Sequence, residues 1–165
     1  MNAAALASAI GCLMLAGALA FQHWGDLAPC ALCIDQRKAW GAVIAFGTLA
    51  VLADGYSRIA VALALLAFAA IAALAGAGIA GFHVGVEQSW WNGTAACGGG
   101  MGDIGTTSIS DLRDRLLAQP VVRCDEIAWS MLGVSMAGWN GLISLATGVG
   151  ALYVVVRDIG RERKA

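Results

Sequence analysis

Ile59 to Phe82 read IAVALALLAFAAIAALAGAGIAGF, an unbroken apolar run without a charged side chain. A helix rises ~1.5 Å per residue, so this run reaches about 36 Å, enough to cross a hydrocarbon core of about 30 Å. Three further stretches follow the same pattern: Ala3 to Phe21, Ala39 to Ala53 and Met131 to Val156. The second is short by itself. It gains full length if its helix begins near Cys30, with Arg37 and Lys38 in its first turns and Pro29 at its entry, where a missing N–H does no harm. The sequence therefore predicts an all-α integral membrane four-helix bundle, a single membrane domain over 1–165. Its spans fall at 3–21, 30–53, 59–82 and 131–156, with a long loop at 83–130.

Composition agrees. Of 165 residues, 59% are apolar and only 13% charged, with mean hydropathy +0.75, whereas ordinary soluble chains run near a quarter charged. Net charge is -1 and the basic residues are scattered except at the C-terminus, so no nucleic-acid partner is expected. No Asp, Glu, Lys or Arg precedes Asp26. Without a basic n-region or clear cleavage site, the first stretch reads as a retained span.

Small residues recur every fourth position at Ala4, Ser8, Cys12, Ala16 and Ala20, at Ala77, Gly81 and Gly85, and at Gly133, Ala137 and Gly141. Such stripes let helix backbones approach closely in lipid. The connections are unequal: Gln22 to Pro29 is short, Asp54 to Arg58 is a tight turn, and the long loop is where function should concentrate. Inside it, Ser108 to Gln119 reads as a short amphipathic helix with an apolar face of Ile109, Leu112, Leu116 and Leu117, stopped by Pro120. It is expected to lie along the membrane surface. Trp90 and Trp91 suit the interfacial aromatic belt.

Five basic residues fall on each side of the membrane under this layout. The tail cluster of Arg157, Arg161, Arg163 and Lys164 decides the orientation and puts both termini in the cytoplasm. The cysteine-bearing loops then face the opposite compartment. Of the five cysteines, Cys12 lies mid-span and reads as a small apolar residue at a helix contact. Cys30, Cys33, Cys97 and Cys124 all lie on the far side, where disulfides persist if that space is oxidising.

Cys30 and Cys33 form C-x-x-C at a helix start, where free backbone N–H groups and the helix dipole favour a thiolate, the species that attacks disulfides. Arg37 follows Cys33 by four positions and Cys30 by seven, so one helix face holds all three. A cation so placed can stabilise a Cys33 thiolate or bind a polar cofactor head group. Lys38, turned away, reads as a residue that snorkels to phosphates. Cys97 precedes three glycines and reads as a mobile, exposed sulfur open to exchange with another protein. Cys124, among Arg123, Asp125 and Glu126, reads as better anchored. These two could equally form a plain structural disulfide. A four-thiolate zinc site is a further use of the four sulfurs, although the 26 residues between Cys97 and Cys124 do not suit its usual pair of tight knuckles. No metal is expected.

With Pro29-Cys30-Ala31-Leu32-Cys33-Ile34-Asp35-Gln36-Arg37 opening the second span, two further cysteines in a long loop, and Trp129 and Gly133 near the fourth span, the chain closely resembles the DsbB family of bacterial disulfide-forming membrane oxidoreductases over nearly its whole length. Gln36 stands where some members carry an acid. The resemblance implies a protein-disulfide:quinone oxidoreductase of the bacterial inner membrane, with its cysteine loops in the periplasm. It further implies that Cys97 forms a mixed disulfide with a thioredoxin-like, DsbA-like oxidant, that Cys124 exchanges with Cys30, and that Cys33 faces ubiquinone or menaquinone. Arg37 matches the family arginine beside the quinone, and His83 falls near a histidine placed close by. The rival enzyme class, the vitamin K epoxide reductase-like family, carries its C-x-x-C after the loop pair. Here it comes before. A non-catalytic membrane protein with a metal site or static disulfides is the rival from another class.

Overall fold

The computed structural model describes residues 2–98 and 122–162. Four helices, α1 (Asn2–His23), α2 (Ala31–Gly55), α3 (Ile59–Glu87) and α4 (Met136–Glu162), make up most of the described chain. Each is long and apolar enough to cross a membrane. The protein is thus an all-α, multi-pass membrane bundle, as the apolar runs predict. The amphipathic helix expected at 108–119 lies outside the described residues.

Helix α3 is the most apolar of the four and packs against both α2 and α4, while α1 lies chiefly on α2. The inward positions include Leu32, Gln36, Trp40, Val43, Gly47 and Ala50 on α2, and Leu66, Ala69, Ala70, Ala73, Gly76, Ala80 and His83 on α3. Steps of three and four residues keep one seam facing its neighbour, the spacing of left-handed helix packing. Most of these side chains are small because lipid tails are as apolar as leucine, so association depends on close backbone approach. Gly47 shows it: a Cβ there would strike Ser8 Oγ and come within 3.2 Å of the Ala4 carbonyl oxygen.

The stripe predicted on α1 is only partly right. Ala4, Ala7 and Gly11 face α2, whereas Cys12 is exposed on the outer surface of the bundle. The contact follows the helical repeat of 3.6 rather than an unbroken step of four, which drifts off one face after two turns. Cys12 is therefore not a contact residue, and the expectation is corrected.

Two helix ends differ from the sequence reading. Helix α3 runs five residues past Phe82, so His83 belongs to the helix and not to the long loop. Its end is closed by Trp91, whose ring covers Gly85 and whose Nε1 donates to the Phe82 carbonyl at 2.9 Å. Helix α4 begins at Met136, because Ser130–Met131 and Val134–Ser135 pair as a small antiparallel hairpin. Its two turn residues, Leu132 (φ 54°) and Gly133 (φ 78°), lie in the left-handed region. That twist matches a two-residue hairpin turn and is incompatible with a continuing right-handed helix. Ser135 then starts α4, its Oγ accepting from Gly138 N–H at 3.1 Å, the bond of an N-terminal cap. Gly133 is consequently outside the helix stripe predicted for it.

Consecutive antiparallel helices place the 24–30 connection, the 88–98 segment, Cys124 and the hairpin at one end of the bundle. The 56–58 turn, the start of α1 and the end of α4 lie at the other.

Candidate active site

Cys30 caps α2. Its backbone is extended (φ -76°, ψ 171°), and its Sγ accepts from Cys33 N–H at 3.2 Å, taking the place an Asp or Ser oxygen usually holds. In that position the sulfur meets one of the first-turn N–H groups that have no partner within the helix. Cys33 sits one turn in, half-buried.

The other pair arrives from the long connection. Cys97 lies in a single 3-10 turn, Ala95–Gly98, and is joined to Cys124 in a disulfide with Cα atoms 5.2 Å apart. Cys97 is 7% exposed, which corrects the expectation of an open, mobile sulfur. Its turn folds down between Thr94, whose Oγ1 lies 3.5 Å from Sγ, and Val86 of α3. Cys30, Leu32, Val86, Cys97 and Cys124 form one buried apolar cluster, with Cys33 packed against it. Both cysteine pairs thus share a single dry patch at one end of the bundle. Beside it, Arg123 donates to Asp125 at 2.9 and 2.5 Å on the surface. This bond holds the Asp125 carboxyl below the usual carboxylate range.

Below the cluster lies a cavity of about 360 Å³ walled by Phe21, Cys33, Arg37, Trp40, His83 and Trp129 among others. Its volume falls in the range of small-molecule sites. Trp129 stands against Phe21 with ring centroids 5.1 Å apart. Arg37 reaches across to α1, donating to Gln22 Oε1 at 2.5 Å and to the Ala18 carbonyl at 3.2 Å. A guanidinium has five N–H donors, so both bonds orient it and leave others for a bound molecule. Lys38 is 71% exposed and pairs with Asp35 at 2.8 Å, away from the cavity.

His83 is buried, its Nε2 3.6 Å from Cys30 Sγ and 3.9 Å from Glu87 Oε1. Its other nitrogen, Nδ1, lies 2.9 Å from Gln36 Nε2. Gln36 Oε1 accepts in turn from Asn140, and Asn140 Oδ1 accepts from Trp40 Nε1 at 2.6 Å. Glu87 accepts from Ser135 at 2.5 Å. Gln36, Glu87, Asn140, Ser135 and Trp40 are not among the site residues that the sequence motifs indicate. For Gln36, Glu87 and Asn140 the available signal is polarity within otherwise apolar helices, where an unpaired polar group is costly and so indicates a partner.

The donor atoms of Cys30, Cys33 and His83 lie within 4.8 Å of one another, near enough to share a cation. Because Cys97 and Cys124 are bonded to each other, a four-thiolate zinc site is not what this arrangement forms.

A bundle of helices that can each cross a membrane, two adjacent cysteine pairs of which one is joined as a disulfide, and an apolar cavity lined by the other pair fit a membrane oxidoreductase of thiols and disulfides. Comparison with known proteins makes the assignment specific. A family model described as "Disulfide bond formation protein DsbB" matches residues 1–154, and the chain belongs to the DsbB family. It is 33% identical over 152 residues to disulfide bond formation protein B of Nitrosococcus oceani, covering 92% of this chain and 89% of that one. Disulfide bond formation protein B 2 of Pseudomonas aeruginosa is 34% identical over 154 residues (93% and 87% covered), and the Stutzerimonas stutzeri protein is 31% identical over 158 (88% of each). No solved structure matches the chain. The protein is accordingly a disulfide-forming membrane oxidoreductase.

Proposed function

We propose that this protein reoxidises a soluble thioredoxin-like, DsbA-like thiol oxidant and passes the electrons to ubiquinone or menaquinone. The observation that carries this reading is the shared buried cluster of Cys30, Cys97 and Cys124, with Cys33 packed against it and both Cys30 and Cys33 lining the cavity. Exchange between the two pairs then needs short movements of one loop, not a rearrangement of the bundle.

In the first step a partner thiolate attacks Cys97 Sγ. The Cys97–Cys124 bond breaks, a mixed disulfide forms, and Cys124 leaves as thiolate. The partner's second thiolate displaces Cys97, completing the partner's disulfide and leaving a reduced loop pair. Cys124 next attacks Cys30 of a Cys30–Cys33 disulfide, forming Cys30–Cys124 and releasing Cys33 thiolate at the cavity wall. Cys97 then displaces Cys30 from Cys124, which restores the loop disulfide and leaves Cys30 and Cys33 as the reduced pair.

The cavity suits a quinone. Its wall is mostly apolar, with aromatic rings to lie against a flat head group and the Arg37 guanidinium to donate to a carbonyl oxygen. A quinone bound there supplies an acceptor for two electrons and two protons, while Cys30 and Cys33 close to a disulfide. The four-helix layout and the basic tail support a place in the bacterial inner membrane. Both termini are then cytoplasmic, and the cysteine end faces the periplasm.

The test is anaerobic turnover of the purified full chain with a reduced thioredoxin-like partner, with and without added quinone. Partner thiols should be oxidised one pair per quinone reduced. Unchanged thiol oxidation when quinone is withheld would contradict the reading.

A further inference from the structure

Four side chains from three helices form one hydrogen-bonded chain ending at a reactive sulfur, and its direction is fixed at the far end. An indole has an N–H and no acceptor, so Trp40 Nε1 can only donate, and Asn140 must turn its Oδ1 toward it. The Asn140 amide nitrogen then faces Gln36, which must present Oε1. This leaves the Gln36 amide nitrogen facing His83 Nδ1. An amide N–H needs an acceptor, so Nδ1 carries no proton. In a neutral imidazole the proton then resides on Nε2, the nitrogen 3.6 Å from Cys30 Sγ. Glu87 Oε1, an acceptor 3.9 Å from the same nitrogen, favours that placement too.

We propose that Trp40, through Asn140 and Gln36, holds His83 in the Nε2–H tautomer, so that His83 donates to Cys30 Sγ and steadies the thiolate released there. His83 is then a hydrogen-bond donor to a leaving sulfur, not a base that takes its proton, and Trp40, Asn140 and Gln36 are positioning residues. Cys30 Sγ already accepts from Cys33 N–H at 3.2 Å, so the sulfur meets a donor from α2 and a second from α3. The step served is the displacement of Cys30 from Cys124 by Cys97. One S–S bond breaks, one forms, and negative charge passes from Cys97 to Cys30 with no net oxidation. The tautomer rests on geometry alone, whereas its use in that step rests on the proposed route.

The chain has two histidines, so a His23→Gln background leaves His83 as its one imidazole. Nitrogen-15 spectra of histidine-labelled full chain in detergent micelles should show a protonated Nε2 and a bare Nδ1. Gln36→Glu, equal in size, puts an acceptor where Nδ1 now meets a donor. It should move the proton onto Nδ1, leaving less than half of His83 as the neutral Nε2–H form. A second readout is Cys30 alkylation in a Cys12→Ala, Cys33→Ser background with the loop disulfide intact. There His83→Phe should slow alkylation by about tenfold, or ~1.4 kcal/mol. His83→Gln, whose amide nitrogen can occupy the Nε2 position, should stay within about threefold of the parent. A protonated Nδ1 in the parent, an unmoved tautomer in Gln36→Glu, or equal alkylation in the two His83 variants would each overturn the proposal. Neither readout uses quinone or partner, so failure here is separable from failure of the proposed function.

Discussion

Cys33→Ser is expected to lower quinone reduction by at least about a thousandfold, ~4 kcal/mol in the barrier. Cys33 is the sulfur of the C-x-x-C pair placed half-buried in the cavity wall, next to Arg37. A hydroxyl there can neither close a disulfide with Cys30 nor supply a thiolate, so the pair cannot give up two electrons. The loop disulfide, bonded independently, should still oxidise one equivalent of reduced partner in a single turnover. Quinone absorbance under steady-state conditions, beside a single-turnover thiol count, separates the two. Residual quinone turnover above about a hundredth of the parent rate would place electron transfer elsewhere.

Arg37→Ala should raise the apparent KM for quinone by about tenfold or more, a loss of roughly 1.4 kcal/mol. The guanidinium is held at the cavity by Gln22 and the Ala18 carbonyl, and its remaining donors are the strongest polar feature available to a carbonyl oxygen there. Lys38→Ala, one residue along and tied to Asp35 on the surface, should leave KM unchanged. In both variants, trapping of the mixed disulfide between Cys97 and an oxidised partner in a Cys124→Ser background should persist. Equal quinone kinetics for the two would remove Arg37 from the site. Lost trapping in Arg37→Ala would show that the arginine supports the fold.

Much of this is legible in the sequence. Long apolar runs define spans because a bilayer imposes a length on helices, and C-x-x-C with Arg37 seven residues on shares a face because a helix has a fixed period. Ends were less legible. His83 joins α3 because a helix can project beyond the apolar run that identifies it. Met131 fails to start α4 because Leu132 and Gly133 adopt left-handed geometry, although a glycine between short β-prone pairs was a readable turn signal. Cys12 shows the limit of counting by fours, since a step of four departs from the true helical repeat. Cys97 shows a different limit: neighbouring glycines describe what a backbone can do, but burial against Val86 and Cys124 depends on long-range packing. The chain from Trp40 to Asn140 spans 100 positions in sequence and becomes visible only when the helices are assembled. The intramembrane amides of Gln36 and Asn140 are the one local signal of it, because polar groups in lipid-spanning helices require partners.

The central claim is an ordered path from the loop pair to the C-x-x-C pair and then to quinone. Its most direct measurement is the number of quinones reduced by fully reduced, partner-free protein under anaerobic conditions, in a Cys12→Ala background. Two quinones are expected for the chain with both pairs, one for Cys97→Ser/Cys124→Ser, and none for Cys30→Ser/Cys33→Ser. Quinone reduction by the last variant, or a stop at one quinone when all four thiols are present, would contradict it.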